Sequence, residues 1–368
     1  MALNQISLQR LGDRVTKKIG ARKNLIINGA MEVAQRDTSS LANGVRTVDR
    51  FALNSTGIDG SPTQAQVDVA SGTTPYSLGF RKAFKATNGN QTSGAGAADA
   101  IQMSTRFEAQ YIAKSGWNYT DPNSEISLSF WVKSSIAQNF YVYLQTMDGT
   151  GQKYPFETGS LTADTWTKVT KTIPGNSNLQ FDDNNEVGIK IFIPQFLGTN
   201  YTDSGATLNA WGPYGSGDTR TPDFTSTWYS TNDATFELTG VQLEVDSVAT
   251  DFEFRSFAEE LQLCKRYFQV AGGTHWGATE GTTNYRLQVP LEPEMRVAPT
   301  VTVRSGHKFN TRDQTDVTIT DPTKSATTAK TRNIWTSVTT TGLSAGRPIM
   351  GRSQEGDLGD YLACDAEL

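Results

Sequence analysis

The chain has 368 residues, with 33 Lys and Arg against 38 Asp and Glu, for a net charge of −5. That balance offers no basic excess to neutralise a phosphate backbone, which argues against nucleic acid as the main partner. Hydrophobic residues make up 36% and aromatics 10%, enough for a packed core, and no apolar run approaches a membrane span, so neither disorder nor membrane insertion is expected. Cys264 and Cys364 stand a hundred residues apart, which reads as two small buried hydrophobes in a reducing compartment. His275 and His307 are the only histidines and cannot build a multi-histidine metal site. Met1 to Gln5 carries no charged segment leading into an apolar run, so no signal peptide is expected.

In chain order, Leu8, Leu11, Val15 and Ile19 recur at spacings of three and four among Arg and Lys, which predicts a short amphipathic helix. Too short to stand alone, it either packs on its own domain or serves as an attachment arm, residues 1–23. From Asn24 to Arg255 the period becomes two. Ile126, Leu128, Phe130 and Val132 alternate, as do Phe140, Val142 and Leu144, and Val187, Ile189, Ile191 and Ile193. Further strands are read at Trp166–Ile173 and Thr235–Val245. Many short strands between Gly-rich turns predict an all-β fold, a jelly-roll β-sandwich over 24–255. The polar stretch 198–227 reads as large surface loops. Ser256 with Glu259 has capping-box spacing, and Phe257, Leu261, Cys264 and Phe268 follow at helical spacing, predicting a connecting helix over 256–270 with those four side chains on a core. A second, smaller β-sandwich is expected over 271–368.

No catalytic signature is present: no G-x-S-x-G, Walker loop, H-E-x-x-H or Cys-x-x-Cys. The expectation is therefore a non-enzyme without a cofactor. Asp182-Asp183 and Glu259-Glu260 are adjacent pairs, whose side chains diverge. The alternation places Trp131, Tyr141, Tyr143 and Phe192 opposite the core series, beside Lys133 and Lys190. Such a surface either stacks sugar rings or is covered by a loop, the terminal helix or a neighbouring subunit. Trp211, Tyr214, Trp228 and Tyr229 sit in or beside the long loop among turn formers. They are read as accessible ligand contacts or as half-buried loop anchors, with Trp211 and Trp228 singled out as the more accessible rings.

One ordered set of residues is distinctive. It runs through Asn24–Arg36, Val48–Phe51, Ser127–Lys133, Thr239–Val245, Ala249–Ser256 and Glu259–Phe268, and Asp365–Leu368 closes the chain. This set resembles a family of bacteriophage tail-fibre and other virion appendage proteins, whose body looks like the jelly roll of carbohydrate-binding modules. The chain departs from the pattern at Ala34 and Phe51, where the family often has Trp. The resemblance implies a virion location after synthesis in the bacterial host cytoplasm. It also implies a virion component, often a homotrimer, in contact with the host surface, without implying a sugar; a host cell-surface glycan as ligand of the sandwich, and attachment to other virion proteins through residues 1–23, are further expectations from the aromatics and the helical spacing. The alternative under the same resemblance is a structural adaptor or capsid decoration without ligand. In related modules a structural calcium can sit where the first strand meets the last, which makes Glu32 and Glu244 the positions to inspect; the favoured reading of each is a solvated or salt-bridged carboxylate, and no metal is expected.

Overall fold

The computed structural model describes residues 23–214, 219–272, 275–279, 282, 284–303, 307–311, 316–318, 333–339, 344–353 and 360–368. Leu8, Leu11, Val15 and Ile19 lie outside the described residues, as does most of the polar tract 311–333. The fold is all-β, built from antiparallel sheets. No described helix is long and apolar enough to cross a membrane. The chain divides into two compact units. One takes residues up to Glu32 and Thr38–Arg255; the other takes Val33–Asp37 and Ser256–Leu368.

The first unit is a sandwich of two six-stranded sheets, its strands numbered here in chain order. The first sheet runs β1 (Ser39–Ser40), β3 (Thr63–Asp68), β4 (Lys82–Thr87), β12 (Thr235–Glu244), β6 (Glu125–Ser134) and β9 (Thr167–Pro174). The second runs β11 (Gly212–Pro213), β8 (Gln152–Ser160), β7 (Asn139–Thr146), β10 (Val187–Leu197), β5 (Ala100–Glu108) and β2 (Phe51–Thr56). Alternating residues of both sheets fill one core. Leu128, Phe130 and Val132 come from the first sheet; Val142, Leu144, Ile189 and Ile191 come from the second. The period-two pattern thus does what its chemistry requires, with every second side chain dry.

The edges of the motif set meet in a buried polar clasp. Asn24 is 2% exposed. Its side-chain oxygen accepts from the amides of Ile26 at 2.9 Å and Leu243 at 3.1 Å, and its amide donates to the Val241 carbonyl at 3.2 Å. The Asn24 backbone donates to Glu253 Oε2 at 2.8 Å, and the Glu253 amide donates to Gln242 Oε1 at 2.8 Å. Arg255 donates to the carbonyls of Ile26 and Asn24. Residues more than 200 positions apart in the chain are thereby joined, Asn24 to Leu243 and Glu253. Burial of these polar groups is tolerated because most of them find a partner. Gly29 fits beside the clasp because a Cβ on it would lie 2.1 Å from the Val241 carbonyl oxygen.

In the second unit, a three-stranded sheet of β13 (Phe268–Gly272), β21 (Asp360–Asp365) and β16 (Thr300–Val303) accompanies a six-stranded sheet. The latter runs β18 (Asp316–Thr318), β17 (His307–Thr311), β20 (Pro348–Ser353), β14 (His275–Thr279), β15 (Asn284–Pro290) and β19 (Asn333–Thr339). The segment Val33–Asp37 is claimed by this unit through Gln35, whose side chain donates to the Phe268 carbonyl at 2.9 Å, and through Arg36. The Arg36 guanidinium lies 3.7 Å from the Phe268 ring centroid and pairs with Asp365 at 3.3 Å and Glu367 at 3.4 Å. The closing residues are further held by Arg296, which donates to the Ala366 and Glu367 carbonyls.

The helix is shorter than the spacing predicts. It covers Phe257–Lys265, and Ser256 Oγ accepts from the Glu259 amide, as capping-box spacing requires. Cys264 is buried, but Leu261 is only half-buried and Phe257 is 58% exposed. Phe268 already belongs to a strand. The chain leaves the helix at Arg266 because Tyr267 and Phe268 are drawn into the sheet with β21, where Phe268 pairs with Asp365. A strand residue contributes nothing to a helical face.

Candidate functional site

The sequence places Trp131, Tyr141, Tyr143 and Phe192 on one aromatic surface. The structure separates them. Strand β6, carrying Trp131, is in the first sheet, whereas β7 and β10, carrying Tyr141, Tyr143 and Phe192, are in the second. All four point away from the core, but away from opposite layers. The chain changes sheet between β6 and β7, and alternation along a strand says nothing about which layer that strand joins.

Trp131 is half-buried on the outer face of the first sheet, in a cluster with Phe80, Val69, Tyr76, Trp166 and Phe252. Phe80, Phe252 and Phe254 pack mutually, with centroids 4.8–5.0 Å apart. Gly240, at φ +63°, lets Phe80 and Trp131 approach the strand: a Cβ there would lie 2.7 Å from Phe80 Cζ and 3.1 Å from Trp131 Cδ1. Lys133 is neutralised on this face by Glu237 at 3.0 Å. The chain's own segments around Phe80 and Phe252 cover Trp131, so its ring is not offered whole.

The loop aromatics divide in the same way. Trp228 is 0% exposed, and its indole N–H donates to the Thr235 carbonyl at 3.1 Å. Tyr229 is buried beside it, stacked on Phe196 at 4.3 Å and donating to Asp99 at 2.8 Å. Burial, followed by that carboxylate, pushes its phenol pKa well up. The accessibility expected of Trp228 is thus overturned. The Thr and Ser residues around it form a short helix, Thr227–Ser230, that drives both rings into the sandwich core. Trp211 is half-buried, packed on Tyr154 at 5.2 Å, with its indole donating to the Pro174 carbonyl at 2.7 Å. Tyr214 is half-buried, its backbone donating to the Gly151 carbonyl at 2.8 Å. Trp228 and Tyr229 are core, and Trp211 is a loop anchor.

The outer face of the second sheet differs from the first. Phe192 and Tyr143 are cross-strand partners, stacked at 4.6 Å and 14°. Tyr143 is 1% exposed and its hydroxyl lies 3.3 Å from Gln102 Oε1; burial raises its pKa. Tyr141 packs edge-on against Phe224, 5.2 Å away, from the long loop. Phe192 and Tyr141 are both half-exposed, and Phe192 is backed by Tyr143. One step along the strands, the paired residues are Arg106 on β5, Lys190 on β10, Gln145 on β7 and Lys153 on β8. Sequence reasoning found Lys190 but missed Arg106, Gln145 and Lys153. The signal was available as a polar residue in the outward phase of each strand, but strand order was needed to align them.

Glu32 and Glu244 do not form a shared cation site. Glu244 is buried and accepts from the Thr250 amide at 2.7 Å, Thr250 Oγ1 at 2.8 Å and Gln242 at 3.0 Å, with Lys23 at 3.8 Å. Those donors take up the lone pairs a metal would need. Glu32 is half-buried, and burial raises its pKa against the opposing charges of Lys82 and Arg81. Among the described residues no group of three or more His, Cys, Asp or Glu stands together as a metal site.

The fold and this face define an all-β sandwich protein with one outer sheet face of mixed aromatic and cationic character. No family model matches the chain, and no curated protein matches it in sequence. Solved structures similar to it include phage appendage proteins and carbohydrate-binding modules, all at low identity and low TM-score. The enzymatically active domain of tailspike protein 4 of bacteriophage CBA120 is 11% identical, over 61% of this chain and 21% of that one, with a TM-score of 0.32. TmCBM61, in complex with β-1,4-galactotriose, is 10% identical, over 61% and 100%, with a TM-score of 0.29. The tripod (BppUct-A-L) from the baseplate of bacteriophage Tuc2009 is 9% identical, over 88% and 91%, with a TM-score of 0.26. The match thus spans about a fifth of the tailspike domain.

Proposed function

We propose that the chain is a non-catalytic subunit of a phage virion appendage, and that its first unit binds a host-surface glycan on the outer face of the second sheet. In this reading the subunit is a homotrimer attached to other virion proteins through residues 1–23. The observation that carries the binding role is the Phe192 ring, half-exposed on the sheet, braced from the side by Tyr143 and bordered by the polar side chains of Lys190 and Gln145. Sugar rings stack on such rings through their apolar faces and are oriented by neighbouring donors. The virion assignment is supported by the ordered motif set. Its members are not scattered: Asn24, Gln242, Glu253 and Arg255 form one clasp, and Gln35, Arg36 and Asp365 form one clamp.

The ligand-free alternative, a virion adaptor or capsid decoration, is favoured by one observation. The rings of Trp131 and Tyr143 are covered by the chain's own segments. The two readings part in one experiment, in which the full chain is tested for saturable binding to purified host-envelope polysaccharides, alongside Phe192→Ala. Saturable binding that Phe192→Ala weakens, with thermal unfolding unchanged, supports the glycan reading. Absence of saturable binding to every polysaccharide leaves the adaptor role.

A further inference from the structure

The second unit leaves one tryptophan standing in water. Trp276 is 68% exposed, whereas Trp117 and Trp228 are buried and Trp131, Trp166 and Trp211 are half-buried. It sits on β14, an inner strand of the six-stranded sheet, with β20 on one side and β15 on the other. The face it stands on is open at both β14 and β15. Ala278 and Pro290, of the same phase, are exposed, whereas Thr279 and Val289, of the opposite phase, are buried. Gly277 and Ala278 follow it, so the strand puts no bulky side chain against the ring. Gly277 pairs with Leu287, which sets Trp276 opposite Gln288, and Gln288 pairs with Trp335 on β19. The register thus places Trp276, Gln288 and Trp335 in one row across three adjacent strands, on one face. Neighbouring strands lie about 4.8 Å apart, so the two tryptophan positions are about 10 Å from each other. Burying an indole is a large apolar gain, and a fold that forgoes it in the middle of a sheet uses that position for something other than folding.

We propose that this row is a second glycan-binding site, in which Trp276 and Trp335 stack two rings of a polysaccharide and Gln288 hydrogen-bonds the ring between them. The inference goes beyond the first-unit site and shares with it only the class of ligand, so the two stand or fall separately. A pyranose ring is about as wide as the spacing between strands. Three consecutive rings laid along the row therefore put the first on Trp276, the second over Gln288 and the third on Trp335. The flat indole suits the apolar C–H face of a sugar, and the amide carries both donors and an acceptor for its hydroxyls. A stable protein interface buries about 800 Å² on each partner around an apolar centre. Here the flanking positions on the same face hold Asn284, Arg286 and Ser337, so the exposed ring stands among hydrogen-bonding residues, which fits a narrow polar chain and not a broad apolar partner.

The test is titration calorimetry of the full chain with purified bacterial O-antigen and capsular polysaccharides, and with mono- and trisaccharide fragments of each. The expected result is saturable binding of at least one polymer that Trp276→Ala and Trp335→Ala each weaken by about tenfold. Its trisaccharide binds about tenfold or more tighter than its monosaccharides. Trp276→Tyr, which keeps a flat ring, recovers most of the loss. Trp276→Ala leaves thermal unfolding unchanged, because the ring is already in water. Phe192→Ala is the control for the first unit. Binding that Phe192→Ala abolishes and both tryptophan variants leave unchanged overturns this site and leaves the first-unit reading standing. Binding lost in the tryptophan variants and untouched by Phe192→Ala supports this site and overturns the other. Equal affinity for mono- and trisaccharides overturns the row. A Trp276→Ala chain that keeps its binding but loses self-association in sedimentation makes the face an interface between copies and overturns the proposal. No binding to any polymer overturns both sites.

Discussion

Asn24 is the most exacting test of how the first unit is closed. Replacing it with Ala removes the acceptor for two buried amides, those of Ile26 and Leu243, and one donor to the Val241 carbonyl. The side chain is 2% exposed, so water does not take over these bonds in the folded state. Each buried donor left unmade costs about 1–3 kcal/mol, so the pair should cost about 2–6 kcal/mol. Set against the total stability of a domain, about 5–15 kcal/mol, that is a large fraction. Asn24→Asp is the sharper variant. It keeps both accepted bonds, gives up the amide donor, and puts a carboxylate oxygen where the amide stood, 3.2 Å from the Val241 carbonyl. It should fall between wild type and Ala only if the accepted bonds dominate. Urea unfolding of the full chain gives the stability change, and amide hydrogen exchange at Ile26 and Leu243 localises it. A loss below about 0.5 kcal/mol, typical of surface sites, with unchanged protection of both amides, would refute the clasp.

Trp228→Ala should cost about 3–5 kcal/mol and Trp228→Phe less, because Phe keeps most of the apolar volume and loses the indole bond to Thr235; calorimetry of the full chain gives both values. Arg36→Ala should lower the second unit's stability and raise hydrogen exchange in Tyr361–Glu367, since one guanidinium serves Phe268, Asp365 and Glu367 together; unchanged exchange there would dismiss the clamp. Glu32 has a raised pKa through burial, so its folded state favours the protonated form. That contribution is fully present below the unfolded carboxyl pKa of about 4.3 and is lost as pH rises through the folded value. Glu32→Gln should therefore raise the melting temperature at neutral pH, with the gain disappearing in acid.

Much of the architecture was legible without coordinates, because it depends on local chemistry. Alternation at Ile126–Val132 and Phe140–Leu144 marks strands with one dry face, and Ser256 with Glu259 marks a helix start, since a period or a cap is set by neighbours in the chain. The same locality explains the errors. Trp228 looks exposed by its Thr and Ser neighbours, yet those residues wind one helical turn that turns the ring inward. Phe268 fits a helical spacing, yet hydrogen bonding to a strand about a hundred residues away takes it out of the helix. Trp131 and Tyr143 share a phase but not a sheet, because phase belongs to the strand and layer belongs to the topology. The sequence by itself determined the β-rich class, the core residues of each long strand and the ordered set of motif residues. Tertiary packing alone brings Asn24 to Leu243 and Glu253, brings Arg36 to Asp365, and aligns Arg106, Lys190, Gln145 and Lys153 in a row. The physical reason is that strand partners here lie as far apart in the chain as Phe84 and Leu238, so the register that aligns them is set by packing of the whole sandwich and not by any local stretch of chain.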